Sequence, residues 1–199
     1  MVFNTAGEGM KKKFNDQPIE VLVKELFLKE EGTLDLRLKY IGDEGARFLA
    51  AAEELRGLRE LNLERNDITS AGVKALCESP VLTQLTVLHL ERNSIDDAGA
   101  SHIAKCANFS NLQYLNLWKN KLGSEGAGEL ANSIYMSSLT ALDLAQNNLG
   151  DDGAKALAGT MTLNGLKYLD VFGNGISEDG QNLLKNAEAF SGIQELILT

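Results

Sequence analysis

The chain has 199 residues with 28 Asp and Glu against 19 Lys and Arg, and its net charge of −9 argues against nonspecific attachment to nucleic-acid phosphates or anionic lipid. No stretch approaches the ~18 uninterrupted apolar residues of a membrane span. Met1 to Phe14, with Gly, Glu, Asn and the short run Lys11 to Lys13, lacks the apolar core of a secretory signal. The expected setting is the cytoplasm, or export without a cleavable signal, with neither nucleic acid nor membrane as a partner.

Residues 1–15, poor in apolar side chains, are expected to form a poorly ordered tail. Asp16 is placed to cap a helix with Pro18 in its first turn, and Ile19, Leu22, Val23, Leu26 and Phe27 recur at helical spacing. Adding 27 to Leu22 and Leu28 gives Leu49 and Leu55, so residues 16–30 are expected to be a half repeat, a helix capping the core that follows.

From there one step of 27 residues governs the chain, most plainly in Leu58, Leu85, Leu112, Leu139, Leu166 and Ile193. A repeat that begins at Glu31 is degenerate, with Glu31 and Lys39 where later repeats have Leu and Asn. Five full repeats follow from Leu58, and the sequence ends in a further strand, Ile193 to Thr199. Solenoid is therefore expected over 31–199, because a strand-like alternation and a helical pattern repeated at one length describe units that bury their apolar faces against their neighbours. Leu196, Ile197 and Leu198 leave an apolar strand edge, so the expectation is either that the chain is a fragment of a longer protein or that the edge at 193–199 meets a partner, a second copy by self-association being one such partner.

Within a repeat, Leu61 and Leu63 face inward and Asn62 and Glu64 outward, as a half-buried strand requires. Asn66, Asn93, Asn120, Asn147 and Asn174 then recur where an inward amide can bond backbone groups of neighbouring turns. Asp43, Ser70, Asp97, Ser124, Asp151 and Glu178 mark helix starts, two residues before a recurrent Gly that permits close approach of helix and loop. Leu49, Leu76, Ile103, Leu130, Leu157 and Leu184 face the strand layer. Cys77 and Cys106 occupy different places in their repeats, so they read as two free, partly buried thiols of a reducing compartment, without a repeated metal or disulfide pattern.

The run L-x-x-L-x-L-x-x-N-x-(I/L)-x-x-x-G-A-x-x-L, clearest from Leu139 to Leu157 with Asn147, Gly150, Gly153 and Ala154, resembles leucine-rich repeats of the ribonuclease-inhibitor-like class. It is also similar to repeats of nucleotide-binding immune receptors and of some bacterial effector-type proteins. The resemblance covers about residues 16–199. It implies an α/β fold, a right-handed solenoid or horseshoe with parallel strands on the concave face and helices on the convex face, used as a protein-binding scaffold. The 27-residue step is shorter than is usual in that class, and Asn stands where ribonuclease inhibitor has Cys, so ribonuclease inhibition is not carried over.

The same step aligns the outward strand residues into columns. Tyr114, Asn116 and Trp118 share one strand, Ala141, Asp143 and Ala145 the next, and Tyr168, Asp170 and Phe172 the one after. With strands ~4.8 Å apart, the two aromatic pairs are expected ~10 Å apart across an alanine-floored recess whose middle column supplies acceptors and negative charge. As structure alone, these aromatics shield one another and the sheet; as function, they form a binding hot spot, since rigid rings bury much area at little entropic cost. Arg65, Arg92, Lys119 and Gln146 form a basic rim that Glu64 and Glu91 either neutralise or turn into a mixed-charge area that orients a protein partner. His89 lies between Asn62 and Asn116, and with only His102 as a second histidine no metal site is expected.

The reading is a noncatalytic scaffold that binds a protein or peptide in this groove; the alternative is a regulator of a partner enzyme, such as a GTPase activator. No nucleophile, base and orienting group fall together, and neither a P-loop nor a dinucleotide fingerprint is present, so no enzymatic activity and no cofactor are expected.

Overall fold

The computed structural model describes residues 17–198; the expected tail at 1–15, the Asp16 cap and Thr199 lie outside them. Helix α1 (Ile19–Leu26) starts at Pro18, which takes the N-cap position, and buries Leu22 and Val23. It ends before the predicted boundary at 30. Phe27–Leu28 instead form a short strand, β1, antiparallel to β2 (Thr33–Asp35), with Phe27 opposite Leu34. The reversal is made by a turn in which the N–H of Gly32, at φ 68, reaches Leu28 O at 2.8 Å. A helical period cannot announce such a hairpin, because Phe27 is apolar and packs on the core in either conformation.

Strand and helix then alternate without exception. The series continues as α2 (Gly42–Ala51), β3 (Glu60–Asn62), α3 (Ser70–Cys77), β4 (Val87–His89), α4 (Asp97–Ala104) and β5 (Tyr114–Asn116). It ends with α5 (Ser124–Ala131), β6 (Ala141–Asp143), α6 (Gly150–Ala158), β7 (Tyr168–Asp170), α7 (Glu178–Lys185) and β8 (Glu195–Ile197). The strands form one sheet in chain order, parallel from β2 to β8, and each pairs with the next in a register of 27, as in Leu61 with Leu88 and Leu88 with Leu115. This is an α/β solenoid: a strand layer on one side, a helix layer on the other, and a continuous apolar core between them. Leu61, Leu88, Leu115, Leu142 and Leu169 are wholly buried, as are Leu49, Ile103, Leu157 and Leu184 on the helices. Each such side chain contributes about 2 kcal/mol. Among the described residues no helix is long and apolar enough to cross a membrane.

After each strand the chain turns inward through a left-handed residue: Arg65, Arg92, Lys119 and Gln146 all have φ between 52 and 55, and Gly173 has φ 70. The residue that follows each of these is an asparagine of the ladder. Asn120 Nδ2 donates to Leu90 O at 2.9 Å and Leu117 O at 3.1 Å, while its Oδ1 accepts from Ile95 N at 3.0 Å. Asn66, Asn93, Asn147 and Asn174 repeat the pattern, so each amide ties one turn to the turn before it. Parallel strands this short leave the turn carbonyls unpaired, and the ladder satisfies them.

The helix starts require a correction. Asp43, Asp97 and Asp151 lie within their helices, and their carboxylates reach into the following repeat. Asp97 Oδ1 accepts from Gly123 N at 2.6 Å and Gly126 N at 2.9 Å, and Asp43 Oδ1 accepts from Thr69 N at 2.8 Å and Gly72 N at 3.0 Å. Thr69, Asp96 and Ser177, one residue before the positions expected from sequence, are the capping side chains of α3, α4 and α7. The glycine column follows from this: a Cβ on Gly126 or Gly180 would stand 2.5 Å from an oxygen of Asp97 or Asp151. Helix N-termini attract carboxylates, and here the donor of that charge is the neighbouring repeat.

Candidate functional site

The register places the predicted residues as the 27-residue step requires. Tyr114 pairs with Ala141 and Ala141 with Tyr168; Asn116 pairs with Asp143 and Asp143 with Asp170. Beyond the strands the row at Trp118, Ala145 and Phe172 continues through Lys119 N to Ala145 O at 2.8 Å and Gln146 N to Phe172 O at 2.7 Å. Phe172 is 44 % exposed, whereas Ala145 is only 4 % exposed beneath its larger neighbours. Ala141, Trp118, Tyr114 and Tyr168 are half-buried.

The middle column has a structural duty. Its side-chain oxygen accepts the backbone N–H two residues on: Asn116 from Trp118 at 2.8 Å, Asp143 from Ala145 at 2.9 Å and Asp170 from Phe172 at 2.8 Å. Asn62 does the same for Glu64 at 3.0 Å. This is the local Asx bond that lets the strand break into its turn. Asn116 is thereby used up, since it is 7 % exposed and its Nδ2 lies 3.1 Å from the Tyr114 hydroxyl; it orders the site and is not a free acceptor.

The carboxylates differ from it in charge. Burial first, then the like charges of Asp170 and Glu91, push the Asp143 carboxyl from 3.8 to about 6 against the bonds from Ala145 and Asn116. Burial also raises the Tyr168 hydroxyl, aided by the charges of Asp170 and Asp143, and Tyr168 Oη lies 3.3 Å from Asp170 Oδ2. The face between the aromatic pairs is thus electronegative.

One flank escaped the sequence reading. His89 interrupts the Asx column, and its Nδ1 lies 2.9 Å from Glu91 Oε1 and its Nε2 4.0 Å from Glu60 Oε1. Burial pulls the imidazole down, but the hydrogen bond and charge of Glu91, with the charge of Glu60, hold it above its ordinary value of 6.5. The His89 ring also packs on Tyr114 with centroids 4.9 Å apart. Glu91 is therefore bound to His89 and does not neutralise the rim as expected; Arg92 lies 3.9 Å from Glu64 and stacks over the Trp118 ring at 4.6 Å. Among the described residues no group of three or more His, Cys, Asp or Glu side chains could hold a metal ion.

Stacking also brings the two cysteines together, which their different places within the repeat concealed. Cys106 Sγ donates to Cys77 O at 3.6 Å, and the Cys77 thiol bonds the Cys106 sulfur, which pushes Cys77 up and Cys106 down. Cys106 stands in a column where Ser79, Ser133 and Thr160 donate a hydroxyl to the same carbonyl of the preceding repeat, Ser79 and Thr160 at 2.6 Å. Its thiol takes the place of that hydroxyl.

Comparison with known proteins agrees with this architecture. Residues 56–77, 81–104, 110–131 and 135–158 match the family described as Leucine Rich repeat. No curated protein sequence matches the chain. Among solved structures, a chain in the crystal structure of the Arabidopsis receptor kinase HAESA in complex with the peptide hormone IDA and the co-receptor SERK1 is 22 % identical, with a TM-score of 0.51. The match covers 84 % of this chain and 26 % of that one, so this chain spans about a quarter of its length. An internalin (inlF) from Listeria monocytogenes is 19 % identical over 75 % of this chain and 49 % of its own, with a TM-score of 0.39.

Proposed function

The chain is a leucine-rich repeat protein, and from that premise we propose that it is a noncatalytic scaffold binding a protein or peptide segment on its concave strand face, around Trp118 and Phe172. The observation that carries the proposal is Phe172, a large ring 44 % exposed on a rigid sheet, in register with Trp118 across Ala145 and beside the carboxylates of Asp143 and Asp170. Rings held by a stacked sheet lose little freedom when covered, and they are the side chains on which binding energy concentrates. The fold is shared with a receptor kinase crystallised with a peptide hormone and a protein co-receptor, which supports a peptide or protein as the ligand class. An α-helix in every repeat from α2 to α7 supports the ribonuclease-inhibitor-like class.

The test is capture of partners from extract by the wild-type chain and by the double variant Trp118→Ala, Phe172→Ala, with far-UV circular dichroism and urea unfolding run in parallel. The expected result is at least about a tenfold loss of affinity for the captured partner, or about 1.4 kcal/mol, with the unfolding transition retained. Equal affinity in a folded double variant would move the binding surface elsewhere.

A further inference from the structure

Asn62 and Asn116 perform the Asx bond of the middle column as well as Asp143 and Asp170 do, with N–O distances of 2.8–3.0 Å in all four. The turn therefore needs an oxygen and not a charge. Charge at positions 143 and 170 is surplus to the fold, and at Asp143 burial and like-charged neighbours act against it. No counter-ion comes from within: among the described residues neither carboxylate takes part in an ion pair, and Arg37 and Arg92 are engaged by Asp35 and by Glu64 and Trp118. Beyond β5, after β4, Glu91 is 8 % exposed; its Oε1 is held by His89, whereas its Oε2 accepts no hydrogen bond from any described residue. Only Glu91 has a cationic neighbour, in His89; keeping the partly buried Asp143 carboxylate beside Asp170 without one is costly to the folded chain, and a cationic ligand would supply the missing charge.

We infer that the face between Trp118 and Phe172 selects a cationic side chain, so that the partner is a basic peptide segment presenting Arg or Lys. The inference rests on the groove proposed above and specifies its chemistry. A guanidinium or ammonium entering here pairs with Asp143 and Asp170, where charge-assisted bonds are roughly twice as strong as neutral ones. Its faces meet aromatic rings, whose quadrupole favours a cation. Arg92 displays this contact within the chain, its guanidinium 4.6 Å above Trp118. The net charge of −9 adds attraction at long range, so a basic segment is also favoured before contact. An acidic or neutral segment would cover the rings and leave the carboxylates uncompensated.

Trp118 is the only tryptophan of the chain, so its fluorescence reports from inside the groove. The probes are Gly/Ser hexapeptides carrying two Arg, two citrulline or two Glu residues, titrated into the full chain and into the Asp143→Asn, Asp170→Asn variant, which keeps the Asx oxygens. The expected result is a saturable change in Trp118 emission with the Arg peptide, at least about tenfold tighter than with the neutral citrulline peptide, reduced to the citrulline level in the double variant and weakened by salt. Equal binding of the citrulline or Glu peptide, or Arg binding untouched by the double substitution, overturns cation selectivity while the groove stands as a peptide site. Silence with every probe overturns it as well, and the groove itself is then decided by the Trp118 and Phe172 capture experiment.

Discussion

Replacing Asp143 by Asn should stabilise the protein at neutral pH, a direction contrary to the usual effect of changing a half-buried, hydrogen-bonded residue. Asn supplies the same oxygen to Ala145 N, now at 2.9 Å, as Asn116 supplies to Trp118 N. It removes a charge that burial, Asp170 and Glu91 oppose and that Ala145 and Asn116 only partly support. A carboxyl moved from 3.8 to about 6 weakens the folded state by about 3 kcal/mol at pH 7, and partial solvent screening reduces this to about 1–2 kcal/mol. The sign follows from proton binding. Because the folded-state value is raised, the folded chain binds more protons than the unfolded chain between about 6 and 3.8; the penalty is complete above about 6 and disappears as the pH falls through that window. Urea unfolding of wild type and Asp143→Asn at pH 7.5, 6 and 4 should therefore show a gain that shrinks on acidification and is nearly absent at pH 4. A variant no more stable than wild type at pH 7.5, or a gain of the same size at pH 4, would refute the reasoning. The matching functional expectation is weaker binding, since a ligand's cation should draw its energy from the same unpaired charge.

Three further outcomes test the scaffold. Asn120→Ala strips partners from Ile95 N, Leu90 O and Leu117 O, and unfolding in urea should show a loss of about 3 kcal/mol; a loss below about 1 kcal/mol would mean that water replaces the ladder. Gly126→Ala sets a methyl 2.5 Å from Asp97 Oδ1 and should cost about 2 kcal/mol, but much less in an Asp97→Ala background, so additivity in the double-mutant cycle would dismiss the inter-repeat cap. Cys106→Ser should stay within about 0.5 kcal/mol of wild type because Ser79 and Ser133 fill the same column, whereas Cys106→Ala should lose about 1 kcal/mol; the reverse order would show that the sulfur itself matters.

The period of the chain determined its architecture. When residues 27 apart must stack, the in-or-out sense of every strand position and the inward face of every helix follow from one repeat, and so do the columns that align Tyr114 with Tyr168, Asp143 with Asp170 and Trp118 with Phe172. The asparagine ladder was legible for the same reason, because an amide that recurs at every turn has only the neighbouring turns to bond. What the sequence could not determine is which neighbour a side chain serves. Asp97 reads as the cap of its own helix and bonds the start of the next, Cys77 and Cys106 lie apart in their repeats and meet across two of them, and Asn116 reads as a free acceptor but is spent on Tyr114 and Trp118. Such assignments depend on the offset between stacked repeats, a distance in space that leaves no trace in spacing along the chain. The charge state of the groove belongs with them: nothing in the spacing marks Asp143, and it is burial, then the charges of Asp170 and Glu91, that raise its carboxyl.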